Sequence, residues 1–275
     1  MKIRLILITL ASLLILSGIV ALFVAGMNYG WWKRHTQVTA PEHYDLAVPL
    51  TRGSFTLKVY SPGENVVPKA LIIFGSGDGG WKPIWEDRVA SYLSSQGYAV
   101  AGIDFKTYSV TDYSEKVLGK DTQIIAAAMR KRFGAPRAPL VLAGFSMGAI
   151  QAVPQAAYIL TYDPAGSEKL AGLLVCAPGE RGRYGLRTAD TLDIEPTGPN
   201  TFAITDFSKK LGQLRIAQFQ GGGDVLSSTA WLNGLAAPHR LWKLPNGFHS
   251  FSGASDKFLG QLTDGLNWIL GGFSQ

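Results

Sequence analysis

Cysteine is all but missing from this chain. Cys176 stands alone among 275 residues, so no internal disulfide framework and no cysteine-built zinc or iron-sulfur centre can form. Charge is scarce as well: 17% of residues are Asp, Glu, Lys or Arg against 47% hydrophobic, which excludes a disordered or fibrous chain and leaves ample material for a core. The net charge of +6 is less basic than it looks, because Lys2, Arg4, Lys33 and Arg34 all precede the first acid, Glu42. Beyond them twenty-two cations meet twenty acids, which is no nucleic-acid footprint. Repeats and low-complexity tracts are lacking too. No residue pattern asks for a metal or an organic cofactor.

One long uncharged run is present at the amino terminus. Leu5 to Gly26 spans 22 residues, and as a helix it would be about 33 Å long, enough for hydrocarbon about 30 Å thick. A cleaved signal peptide has a shorter apolar stretch of about 7 to 15 residues. Residues 1–28 therefore read as a signal anchor, with a cleaved signal peptide as the alternative. Lys2, Arg4 and the free amino group tip the orientation towards N-terminus-in, which places the remainder in a bacterial periplasm beside the inner membrane. Residues 29–50 read as a linker and interfacial segment, with Tyr29, Trp31 and Trp32 as an aromatic belt and Lys33 and Arg34 at headgroup level.

From residue 51 to 275, β-rich and helix-like segments alternate, as expected for a mostly parallel sheet with helices on both faces. Phe55, Leu57 and Val59 alternate with polar neighbours like a half-exposed strand, and residues 70–74 form a continuous apolar run suited to a buried one. Further strands are expected at 98–103, 140–143, 170–177, 214–219 and 240–244. Helices are expected at 83–96, 112–133, 147–160 and 256–270. Residues 178–210, rich in Gly, Pro, Thr and charge, are too long for an ordinary connection and read as an insertion packed over the site.

Gly144-Phe145-Ser146-Met147-Gly148 matches Gly-x-Ser-x-Gly between an apolar strand and a helix-compatible run, the context of a nucleophile elbow. The chemistry needs this spacing because the serine sits on a sharp turn where side chains two positions away would collide. A serine hydroxyl needs a base, and a third group to fix the base's tautomer. His249, in the turn-rich loop before the last helix, is the candidate base; His35, His43 and His239 sit near the membrane segment or at strand starts. Asp224 follows the strand-like 214–219 run and is the candidate acid, with Asp190, Asp193 and Asp206 as alternatives. The chain order Ser146, Asp224, His249 is that of the α/β-hydrolase fold.

Two backbone donors are needed for the oxyanion. Met147 N–H follows the nucleophile, and the glycine-rich loop 75–81 offers Asp78 first and Gly77 next. That loop lacks the Gly-Lys-Ser/Thr ending of a P-loop. Gly75, Gly77 and Gly80 have dinucleotide-fingerprint spacing, but no acid follows at about twenty residues. Asp78, Glu86, Asp87 and Asp112 are candidates for an acidic mouth that would welcome a cationic substrate. Asp104 reads as a turn-shaping residue and Cys176 as a buried small hydrophobe.

Ser76-Gly77-Asp78-Gly79-Gly80-Trp81, then Gly102-Ile103-Asp104, the Gly-Phe-Ser-Met-Gly elbow and the Gly-Phe-His-Ser-Phe ending resemble the VirJ/AcvB-type bacterial virulence proteins. The resemblance runs from Lys69 to Leu270, and the Ser-Gly-Asp-Gly-Gly-Trp string is its most specific part. It implies a periplasmic serine hydrolase acting on lysyl-phosphatidylglycerol, with Ser146, Asp224 and His249 as triad, Trp81 as a substrate-binding residue and a secretion system as a possible associate. The elbow departs from the family pattern at Phe145 and Met147, where Tyr and Phe are commoner. Other ester substrates, as for an esterase, lipase or thioesterase, and a non-catalytic binding or assembly role are the alternatives.

Overall fold

The computed structural model describes residues 42–192 and 194–271. The chain divides after residue 37, and these residues belong to the second part. The anchor expected over 1–28, the aromatic belt at Tyr29, Trp31 and Trp32, and Asp193 lie outside the described residues. Among the described residues, no helix is long and apolar enough to cross a membrane.

The strands are β1 (Glu42–Leu50), β2 (Gly53–Ser61), β3 (Leu71–Gly75), β4 (Ala99–Ile103), β5 (Leu140–Phe145), β6 (Leu170–Cys176), β7 (Arg181–Arg183), β8 (Thr201–Ala203), β9 (Arg215–Gly221) and β10 (His239–Leu244). Eight of them form one sheet in the order β1-β2-β4-β3-β5-β6-β9-β10. The β1–β2 and β2–β4 pairings are antiparallel, and every pairing from β4 onward is parallel. Four long helices accompany the sheet: α1 (Glu86–Ser95), α2 (Glu115–Arg132), α3 (Met147–Tyr162) and α4 (Ser255–Leu270).

Strands β3 to β6 are buried along their lengths, save the last residue of β5. Continuous apolar runs suit them because helices cover both faces. On one face Leu71 and Ile73 pack in a cluster with Leu118, Ile125 and Met129 of α2 and Val153 of α3. On the other, Phe74 lies 6.0 Å from Trp85, which stacks on Phe258 of α4 at 5.9 Å. Each such large side chain contributes about 1.5–3 kcal/mol through burial. Pro154 is accommodated inside α3.

Residues 42–50 correct the linker assignment. They are an edge strand, hydrogen-bonded along its length to β2. Only Val48 and Leu50 of it are buried, so its apolar pattern is weak, and Pro49 is tolerated because it sits in an edge strand. The insertion 178–210 contains the small antiparallel pair β7–β8 and 3-10 turns at Asp190–Leu192 and Ile204–Leu211. It is tied to α3 by Gln151 Nε2, which donates to Arg183 O at 2.8 Å.

Candidate active site

Parallel strands bring their carboxyl ends to one edge of the sheet, and the candidate residues leave from there. At the end of β5 one residue, Ser146, separates strand from helix α3. Its backbone is turned to φ 49°, ψ −115°, a left-handed conformation that costs a non-glycine residue about 1–3 kcal/mol. The two motif glycines make this turn possible. A Cβ on Gly144 would lie 2.3 Å from the Gly148 carbonyl carbon, and one on Gly148 would lie 2.1 Å from the Gly75 carbonyl oxygen. The turn is secured by Ser146 N–H donating to Cys176 O at 2.9 Å, and Ile150 N–H then donates to Ser146 O at 3.1 Å to start the helix. The helix N-terminus thus faces the serine, where its amide dipoles favour negative charge.

The acid and base loops are stitched together before any side chain is considered. Gly222 N–H donates to Leu244 O at 2.8 Å and Gly223 N–H to Gly247 O at 2.9 Å. Such an approach needs glycine: a Cβ on Gly221 would stand 2.5 Å from the Phe248 carbonyl oxygen. His249 Nδ1 consequently lies 3.0 Å and 3.2 Å from the two Asp224 carboxylate oxygens. The Asp224 side chain is fully buried. It also accepts Leu226 N–H at 2.9 Å and the Ser227 hydroxyl, which in turn accepts from Gln220 Nε2 at 2.6 Å. Burial pushes the Asp224 carboxyl up, but the bonds from His249, Ser227 and Leu226 outweigh it and hold the group below its ordinary value. An ionised Asp224 fixes the tautomer with hydrogen on Nδ1 and leaves Nε2 free to take a proton. Ser146 and His249 line the same cavity; the hydrogen bond between them is not formed in this conformation.

Side chains to which sequence reasoning gave no role pack beside His249. Phe145 lies 5.1 Å from the imidazole and 4.2 Å from Trp85. Trp85 Nε1 donates to Ser250 O at 2.8 Å, pinning the loop. The aromatic identity of Phe145 beside the nucleophile was the available signal.

In the glycine loop the two candidate donors part company. Asp78 lines the cavity with Ser146 and Met147. The Gly77 N–H is directed to Glu86 Oε1 at 3.4 Å, so it is not available to a substrate. Trp81 is likewise corrected. Its indole packs against Gly102, where a Cβ would fall 2.2 Å from the ring. Its N–H donates to Asp87 Oδ1 at 2.5 Å and to Tyr60 Oη at 3.2 Å. An indole donor of this kind is satisfied structurally, and Trp81 is absent from the cavity lining.

The acidic mouth needs the same revision. Asp87 is occupied by Trp81 and Tyr60, Glu86 is buried, and Asp112 pairs with Arg187 at 2.7 Å. Only Asp78 of the four reaches the cavity. The alternative acids have other work: Asp190 pairs with Arg183 at 3.0 Å and Asp206 accepts Ala203 N–H at 2.9 Å. Asp104 accepts Thr107 N–H at 3.2 Å as a helix cap. Cys176 is buried, and desolvation pushes its thiol well up, which keeps it protonated.

The cavity holds about 450 Å³, within the range of small-molecule sites. One wall is drawn from the insertion, between Gly179 and Pro196, and joins the stretch Val225 to Ser228. Arg183 is engaged by Asp190, and Arg181 lies 3.9 Å from Glu195. Glu180 accepts the Ser228 hydroxyl at 2.7 Å. Among the described residues, neither Glu180 nor Asp78 forms an ion pair, so the lining carries a surplus of negative charge. No group of three His, Cys, Asp or Glu among the described residues is placed to hold a metal ion.

Residues 69–195 match the family model described as bacterial virulence protein (VirJ). No curated protein matches the chain in sequence. Among solved structures, Est1E from Butyrivibrio proteoclasticus superposes with a TM-score of 0.61 at 12% identity, covering 82% of this chain and 99% of its own. The carboxylesterase EstE1, cloned from a metagenomic library, gives 0.60 at 13%, covering 89% and 94%. An α/β serine hydrolase without lid from Xanthomonas campestris gives 0.56 at 18%, covering 85% and 97%. At such identities the likeness establishes the fold. Residues 69–195 are therefore similar to the bacterial virulence protein (VirJ) family, within a chain of α/β-hydrolase fold.

Proposed function

We propose that this chain is a serine hydrolase that cleaves a carboxylic ester. The observation that carries the reading is the buried Asp224 paired with His249, whose imidazole lines one cavity with Ser146 on its strained elbow. His249 Nε2 takes the Ser146 hydroxyl proton while Oγ forms a bond to the ester carbonyl carbon. The oxyanion is held by Met147 N–H and Asp78 N–H. Collapse breaks the ester C–O bond, and His249 returns the proton to the departing alcohol. Water, deprotonated by His249, then attacks the acyl-enzyme and frees the acid and Ser146. The esterase names among the structural neighbours support this class.

Within it, the substrate we propose is the aminoacyl ester of lysyl-phosphatidylglycerol, with lysyl as acyl group and the lipid as leaving alcohol. The VirJ match supports this assignment, and so do the two unpaired carboxylates, Asp78 and Glu180, in the cavity. The apolar run Leu5 to Gly26 supports a membrane-anchored enzyme with its catalytic part in the periplasm, near such a lipid. The test is lysine release from lysyl-phosphatidylglycerol vesicles by the full chain beside its Ser146→Ala variant and a neutral short-chain ester. We expect release to fall at least about a thousandfold in the variant with the fold intact. Hydrolysis of the neutral ester alone would keep the reaction class and overturn the substrate. Turnover of neither by the folded protein would favour a binding or assembly role.

A further inference from the structure

Glu86 is a buried carboxylate for which the proposed reaction has no use. It opens helix α1, where an acid ordinarily sits in water near the helix N-terminus, yet it is 1% exposed. Its two oxygens are divided between two backbone amides of the glycine loop. Oε2 accepts Lys82 N–H at 2.9 Å and Oε1 accepts Gly77 N–H at 3.4 Å. The bonds bracket the turn that carries Asp78, and Gly80 N–H closes that turn on Gly77 O at 3.1 Å. Upstream, the buried Ser76 hydroxyl donates to Gly77 O at 3.0 Å and accepts Phe105 N–H at 2.9 Å. Asp78 is thus the cavity-facing residue between two clamped points.

We propose that Glu86 is a positioning residue for the oxyanion loop: ionised, it holds Asp78 N–H towards Ser146, and protonation releases that hold. The proposal rests on the reading of Ser146 as nucleophile. A carboxylate offers an acceptor to each amide, whereas a carboxylic acid makes one oxygen a donor facing an N–H. Protonation within the working pH range is favoured by desolvation, which pushes Glu86 up to about 7 against the opposing pull of the backbone bonds and Lys82. Lys82, on the loop, is the cation acting on it. On its own helix Asp87 is turned to Trp81 and Tyr60, and Arg88 to Asp256 of α4. Asp78 and, from the final loop, His249 face the cavity.

The test compares the full chain with Glu86→Gln, reading kcat and KM for a hydrolysed ester from about pH 5 to 9. It also follows the Gly77 and Lys82 amide proton shifts over the same range. In the wild type we expect the acid limb of kcat to carry one protonation more than the variant's, that of Glu86, and both amides to titrate together near the Glu86 midpoint. In the variant we expect that extra protonation to be gone, flat amide shifts, and kcat lower by about tenfold with KM little changed. Wild-type kcat and pH profile in the folded variant, or amides that do not titrate in the wild type, would overturn the proposal. If neither protein hydrolyses an ester, the reading of Ser146 fails while the amide titration still decides on Glu86. If the variant does not fold, the wild-type titration decides alone.

Discussion

At the scale of single residues, the proposed reaction divides the site into groups that would do the chemistry and groups that would choose what enters. Ser146, Asp224 and His249 leave strand ends, and their placement was legible because spacing and chain order carry it. Trp81 and Glu86 were not. Nothing local tells that Gly102, twenty-one residues on, leaves room for the indole, or that a helix-start acid turns inward to accept two loop amides. Glu180 belongs to the choosing group, since its carboxylate lines the cavity without a cation. Glu180→Gln is expected to lower the ratio of kcat/KM for a lysyl ester to that for a neutral ester by about tenfold, or about 1.4 kcal/mol. Parallel kinetics on the two esters check this, and an unchanged ratio would remove Glu180 from recognition of the amine.

At the scale of elements, the alternation of strands and helices was readable because buried parallel strands demand unbroken apolar runs and covering helices demand an apolar face. The exceptions are physical. β1 escaped because it is an edge strand with two buried residues, and β7 and β8 escaped because three residues are too short to show a period. At the crossing of β3, β5 and α3, backbone meets backbone with no room for a side chain. Gly148→Ala places a methyl 2.1 Å from the Gly75 carbonyl oxygen, against backbone that cannot step aside. We expect a loss of at least about 1–3 kcal/mol, read as a lowered denaturation midpoint. A retained midpoint would mean that the elbow is looser than this contact implies.

At the scale of the whole molecule, two buried carboxylates bend the pH dependence of stability in opposite senses. Asp224 is held below its ordinary value, so its contribution is present at neutral pH and is lost as pH falls. Glu86 is raised from 4.5 to about 7, so its contribution is complete in acid and is lost as pH rises through about 7. The loss comes to about 3 kcal/mol at 1.36 kcal/mol per unit. Thermal melts at about pH 5 and 8 check the sign: the wild type should lose stability over that interval, whereas Glu86→Gln should be nearly flat. A wild type equally stable at both would contradict it. The wall from Gly179 to Pro196 has a consequence of another kind. It hangs between β6 and β9, while the reacting groups sit on the turn after β5 and on the loops following β9 and β10. On the proposed reading, this wall carries no residue of the triad, so it is a replaceable cassette: exchanging it would retarget the proposed hydrolase while the machinery beneath stays in register.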